Sequence, residues 1–303
     1  QATLREDVTG SLTTAFADIT AFDVDDAGTG NAFAIAGDGG QSVIVELNTD
    51  GTVLGTRPIV NGAAPGSPTL TDVEAMAFDD AGQMFVLTRN YDADPAGDAS
   101  GLPADAAGNP SNSDVALLRV NKSTGQVTSV QSVTIGGLEV TATYTAMAVG
   151  PNGDIFAVAR TTDPSGNITE ALHQIPITPG GAIDATNIGV MAGTRIEGLT
   201  FAENLNGSPT LVAMDHATTD PTTGEVLAQL RSVSTANAST AALSEPGMVA
   251  TVHGLGSGND LVSGRPVLFA SDGQSVFRGS AVNLETDPAS GVTAVEALRA
   301  ADF

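Results

Sequence analysis

The chain has 303 residues, 35 acidic against 11 basic, and a formal net charge of −24. A surface this acidic repels nucleic acid and anionic lipid, so neither is an expected partner. The absence of cysteine excludes disulfides, thiolate metal sites and cysteine nucleophiles, and no apolar run approaches the roughly 20 residues of a membrane helix, so no membrane insertion is expected.

Hydrophobic residues make up 41% and aromatics only 4%, with no Trp. A core must therefore be built from Val, Ile, Leu, Ala, Met and Phe. Lys122 is the only lysine, a bias that suits a salt-adapted or high-GC source. The chain begins at Gln1 rather than Met, which reads as a processed, exported form and places the protein outside the cell or on its surface. Sequons occur at Asn121, Asn167, Asn206 and Asn237.

In chain order, residues 1–17 come first as a surplus segment, a strand that latches a ring closed or exchanges onto a neighbouring molecule. A pattern then recurs: an apolar residue, a variable one, Ala or Gly, an apolar strand, a Gly-containing turn and a second apolar strand. Its copies start at Ile19, Val73, Tyr144, Ile196 and Val252, at intervals of 54, 71, 52 and 56 residues. The long interval holds an insertion from Asn90 to Ser113. Behind each pair of strands lies another, split by turns such as TDG, STG and PGG. The C-terminal VTAVEALRA reads as the outer strand of the fifth copy. A β-sandwich does not explain such a period, and a solenoid repeats over a shorter one. The prediction is an all-β, five-bladed β-propeller with four-stranded antiparallel blades, in a single domain with blades at about 18–71, 72–142, 143–194, 195–250 and 251–303.

In such a meander the long loops share one face: 90–113, 161–169 and 215–225. That face is the expected binding face. The second residue of each innermost strand begins near it: Thr20, Glu74, Thr145, Glu197 and His253. The ends of the second strands add Arg89, Arg160, Asp215 and His216, with Asp272 close by, and the connectors add Asp72 and Arg195. Three readings stand side by side. Arginines pair with Glu74 and Glu197 and close the ring; the two glutamates hold a metal, Ca²⁺ being the hard cation that carboxylates favour; or they act as general acid and base. Asp92, Asp94 and Asp98 space their oxygens roughly as a Ca²⁺ loop would, without the closing Glu of an EF-hand. His173 falls in a third strand and is expected to be structural. His216 and His253 lack the third His or Cys of a usual zinc site. No GxSxG, HExxH or P-loop occurs.

Val73-Glu74-Ala75-Met76-Ala77-Phe78 and Ile196-Glu197-Gly198-Leu199-Thr200-Phe201 resemble the Glu-led inner strands of secreted β-propellers in the broad NHL and SMP-30-like group. The resemblance covers most of the chain as architecture and these hexads as motif. It implies a divalent metal in a central channel, with Glu74 or Glu197 as ligand.

The residues point first to a non-enzymatic extracellular structural or adhesion subunit, self-associating through residues 1–16 into a surface layer or filament. The alternative is a Ca²⁺-dependent hydrolase or lyase acting on the long-loop face. Carbohydrate is a disfavoured partner, because sugar sites stack on aromatic faces and the chain has two Tyr and no Trp.

Overall fold

The computed structural model describes residues 19–38, 41–48, 53–61, 69–89, 115–178, 182–203, 208–243, 254–259, 266–271 and 276–280. The protein is all-β, and no helix occurs among the described residues. The first repeat forms β1 (Ile19–Val24), β2 (Ala32–Asp38), β3 (Gln41–Leu47) and β4 (Val53–Pro58). The second forms β5 (Val73–Phe78), β6 (Met84–Thr88), β7 (Ala116–Val120), β8 (Val127–Ile135) and the short β9 (Leu138–Glu139). The third forms β10 (Thr143–Val149), β11 (Ile155–Thr162), β12 (Ile168–Ile175) and β13 (Ile183–Val190). The fourth forms β14 (Ile196–Glu203), β15 (Pro209–Thr219), β16 (Val226–Val233) and β17 (Thr240–Ala242). The fifth forms β18 (Gly254–Asn259), β19 (Pro266–Ser271) and β20 (Val276–Ser280).

The first and fourth repeats are four-stranded antiparallel sheets in chain order, and the fifth shows three strands. The second and third depart from the expectation of separate sheets. Their outer strands pair in parallel, Val133 to Ala-Ile-rich β13 at Ile183 and Ile135 at Ala185, which joins them into one nine-stranded sheet. β8 lies between the two, carrying β7 along one edge up to Ser132 and β13 along the other at Val133–Ile135. The two ends of the joined sheet, β5 and β10, also pack against each other, so the sheet nearly closes on itself.

The inner strands, such as β5 and β6, are covered on both faces and read as near-continuous apolar runs, whereas β4 and the first half of β8 alternate half-buried with exposed positions. In β2, Phe33 and Ile35 enter a cluster shared with the second repeat, beside Val73, Met76 and Val86. Ala32, Ala34 and Ala36 point the other way, into a cluster with Phe22 and Phe269. The period-two geometry of a strand makes this division. Each of the five apolar clusters draws on two neighbouring repeats. Burial of this shared surface is the main force holding the repeats together.

The first strands of the repeats touch in a cycle: β1 with β5, β5 with β10, β10 with β14, β14 with β18, and β18 with β1. The small third residue of the repeat motif in each is Ala21, Ala75, Ala146, Gly198 or Gly254, because the strands crowd together there. A Cβ on Gly198 would stand 2.7 Å from the Leu255 nitrogen, and one on Gly254 would stand 2.5 Å from the Phe22 Cβ. Met76, Met147, Leu199 and Leu255 line the residual space at this level, about 10 Å³, no more than one water needs.

Candidate functional site

A one-residue bulge recurs at the start of four first strands. The register with the second strand slips between Ile19 and Ala21, between Val73 and Ala75, between Tyr144 and Ala146, and between Ile196 and Gly198. The bulged residues are Thr20, Glu74, Thr145 and Glu197. A bulge re-aims its side chain, and here three of the four reach the main chain of the next repeat. Thr20 Oγ1 donates to the Val73 carbonyl at 3.0 Å, Glu74 Oε2 accepts from the Tyr144 N–H at 2.8 Å, and Thr145 Oγ1 donates to the Ile196 carbonyl at 2.7 Å.

The arginines predicted to face these glutamates do so. Arg89 Nε lies 3.1 Å from Glu74 Oε1. Glu197 Oε1 is shared by Arg160 Nη2 at 3.0 Å and Arg195 Nε at 3.3 Å. Burial lifts the Glu74 carboxyl above its usual pKa, against the Tyr144 N–H and Arg89, which lower it. For Arg160, burial opposes the charge, but Glu197 and Glu170 outweigh it and the guanidinium is held more firmly protonated.

Asp72 and Arg195 act through their carbonyls, which accept from the amides of Arg89 at 3.2 Å and His216 at 2.8 Å. Asp72 does so with φ at 49°, a left-handed conformation that a short polar side chain tolerates. The Asp215 carboxylate is fully buried, accepting from the Arg195 and Ala217 amides and pairing with Arg231 Nε at 2.5 Å. His216 is buried in β15. Among the described residues, no three His, Asp or Glu side chains gather as a metal site. His253, Asp272, Asp92, Asp94, Asp98 and the segment 1–17 lie outside the described residues.

Two buried groups of this end had not been singled out as site residues. Glu170 in β12, fully buried, accepts from Arg160 at 2.7 and 2.9 Å, from Thr194 Oγ1 at 3.0 Å and from the Ile196 N–H. Burial moves its pKa up despite these partners. His173, also in β12, meets the Tyr144 hydroxyl at 2.9 Å, and burial drives its pKa down to about 4. Its place within a third strand is the one the sequence predicted.

The opposite end of the first strands holds a cavity of about 470 Å³. All five repeats line it. Asp23 and Asp26 come from the first, Asp79 and Asp80 from the second, and Phe201 and Ser257 from the fourth and fifth. This is the short-turn end, not the long-loop face. Half-buried Asp23 accepts from the Phe78 N–H at 2.8 Å and from the Val24 N–H at 2.8 Å. Burial pushes its pKa up to about 7; those two hydrogen bonds pull it down, and the charges of Asp25 and Asp26 add to the rise. The recurring signal was legible: DVDD and FDD close the first two inner strands at the same place. Nearby, Asp25 pairs with Lys122 Nζ at 2.6 Å, and Lys122 also donates to the Gly82 carbonyl at 2.9 Å, so the one lysine ties the first repeat to the second.

No family model and no curated protein matches the chain. Among solved structures, U3-55K is similar at 12% identity and a TM-score of 0.38, over 85% of this chain and 89% of that one. A protein of unknown function from Dyadobacter fermentans is similar at 12% identity and a TM-score of 0.46, over 89% of this chain and 80% of its own.

Proposed function

We propose that the chain is a five-bladed β-propeller serving as a non-enzymatic, extracellular structural or adhesion subunit, which self-associates through residues 1–16. The cycle of contacts among the five first strands supports the propeller. The observation that carries the functional reading is the use of the bulged residues. Thr20, Glu74 and Thr145 each bond the main chain of the following repeat, and Glu74 and Glu197 are matched by arginines. Groups positioned to react would keep an oxygen ready for a substrate; these oxygens hold the ring together. The acidic surface suits an exposed, soluble coat.

The test is deletion of residues 1–16, followed by light scattering and electron microscopy of the purified chain. The expected result is loss of assemblies that the full chain forms. Unchanged assembly after the deletion removes the self-association reading, and a folded, monomeric full chain does the same.

A further inference from the structure

The cavity at the short-turn end is acidic on one side. Among its lining residues there is no Arg, Lys or His. Asp23, Asp79 and Asp80 place carboxylates on the side of the first two repeats. Asp79 Oδ1 accepts from the Ala81 and Gln83 amides, and among the described residues Asp23, Asp79 and Asp80 form no ion pair. The third and fourth repeats supply apolar wall instead, through Val149, Pro151, Phe201 and Pro209. Two hydroxyls complete it, and their protons are already committed: Thr200 Oγ1 donates to Ser257 Oγ at 3.1 Å, and Ser257 donates to the Phe201 carbonyl. The polar side of the chamber is thus set by carboxylates and by hydroxyls whose protons are engaged, against a largely apolar far wall.

We propose that this chamber binds an organic cation, a primary ammonium or guanidinium on a short apolar stem, with the charge on the Asp23–Asp79–Asp80 side and the stem along Pro151 and Phe201. The volume suits such a ligand, since small-molecule sites span roughly 300–1,000 Å³. A donor-rich cation satisfies several acceptors at once, and partly desolvated charge-assisted hydrogen bonds are the strong kind. A bare divalent ion fits less well, because no three acids converge on one point among the described residues. The net charge of −24 draws cations towards the mouth.

Binding carries a protonic signature. The groups facing Asp23 are Asp25 and Asp26 from its own turn and Asp79 and Asp80 from the next; Gly256 and Gly258 of β18 pack against this segment without charge, and Lys122 is engaged by Asp25. With its pKa at about 7, Asp23 is part-protonated near neutrality, and an arriving cation expels that proton.

Isothermal titration calorimetry of the full chain tests this with n-butylammonium and n-butylguanidinium chloride, n-butanol as the uncharged match, and calcium chloride as the inorganic rival. The cations should bind about tenfold or more tighter than butanol. At pH 7, two buffers of different ionisation enthalpy should report proton release. Asp80→Asn, at an exposed position, should weaken the cations about threefold or more and leave butanol unaffected. Asp23→Asn should abolish proton release; if that variant fails to fold, Asp80→Asn decides alone. N-acetyl-lysine methylamide separates sources: binding equal to butylammonium points to a lysine side chain of a partner protein, and binding only by butylammonium points to a free amine. The proposal is overturned if the cations do not bind, if butanol binds equally well, if Asp80→Asn changes nothing, or if calcium alone binds.

Discussion

The two ends of the first strands solve the same electrostatic problem in opposite ways. At the bulged end each buried acid has a cationic partner: Glu74 has Arg89, Glu170 and Glu197 share Arg160, and Asp215 has Arg231. At the cavity end Asp25 has Lys122, while Asp23 and Asp79 are held by main-chain N–H groups. Charges that are paired and tied to the next repeat act as rivets. Charges held only by the backbone line the cavity. Both ends join repeats, since Lys122 and the Phe78 N–H also bridge the first two, but the cavity end leaves Asp23 and Asp79 without a cationic partner among the described residues.

The largest expected effect comes from breaking a rivet. Glu170→Ala leaves Arg160 without its best-buried partner and the Ile196 N–H without an acceptor, and should cost about 3–5 kcal/mol in urea unfolding. A loss within experimental error would remove the claim that this end is the stronger fastening. A smaller effect sets the two ends against each other in pH. His173 has its folded pKa near 4, below the 6.5 of a free imidazole. The unfolded chain then takes up the proton first, so His173 lowers stability as pH falls from 6.5 towards 4, by up to about 3 kcal/mol. Asp23 has the reverse sign: its folded pKa is raised from 3.8 to about 7, so its contribution is present in acid and fades as pH rises through that interval. Asp23→Asn should therefore steepen the loss of stability between pH 6.5 and 4, and an unaltered or shallower slope would contradict the assignment. The smallest effect is Thr145→Val, which deletes one bond to the Ile196 carbonyl while keeping the shape; about 1 kcal/mol is expected by thermal or urea unfolding.

Much of the frame was legible because crowding writes itself into the chain. The third residue of each repeat motif must be small, and the apolar residue two before it marks the start of a buried strand. That pattern put strand starts at Ile19, Val73 and Ile196, and within one residue at Tyr144. The glutamate–arginine pairs were also legible, since complementary charges stood at matching places in successive copies. Other features depend on reach rather than pattern. Glu170 sits in a third strand, and its oxygens act 26 residues further along, at Ile196; no local spacing announces that. The pairing of β13 with β8 joins strands of two successive repeats, which no pattern inside either repeat specifies. The chamber was missed because short acidic turns look like ordinary solvated turns until five strands bring their ends to one place.

The parallel contact between Val133–Ile135 and Ile183–Ala185 has a further effect. It stitches two successive repeats through β8 and β13 as well as through β5 and β10, so neither can peel away without tearing this ladder. Strands β5–β8 and β10–β13 should thus open as one cooperative block. Strain applied to the molecule would then be absorbed away from this doubled sector, which serves as the anvil against which the rest flexes.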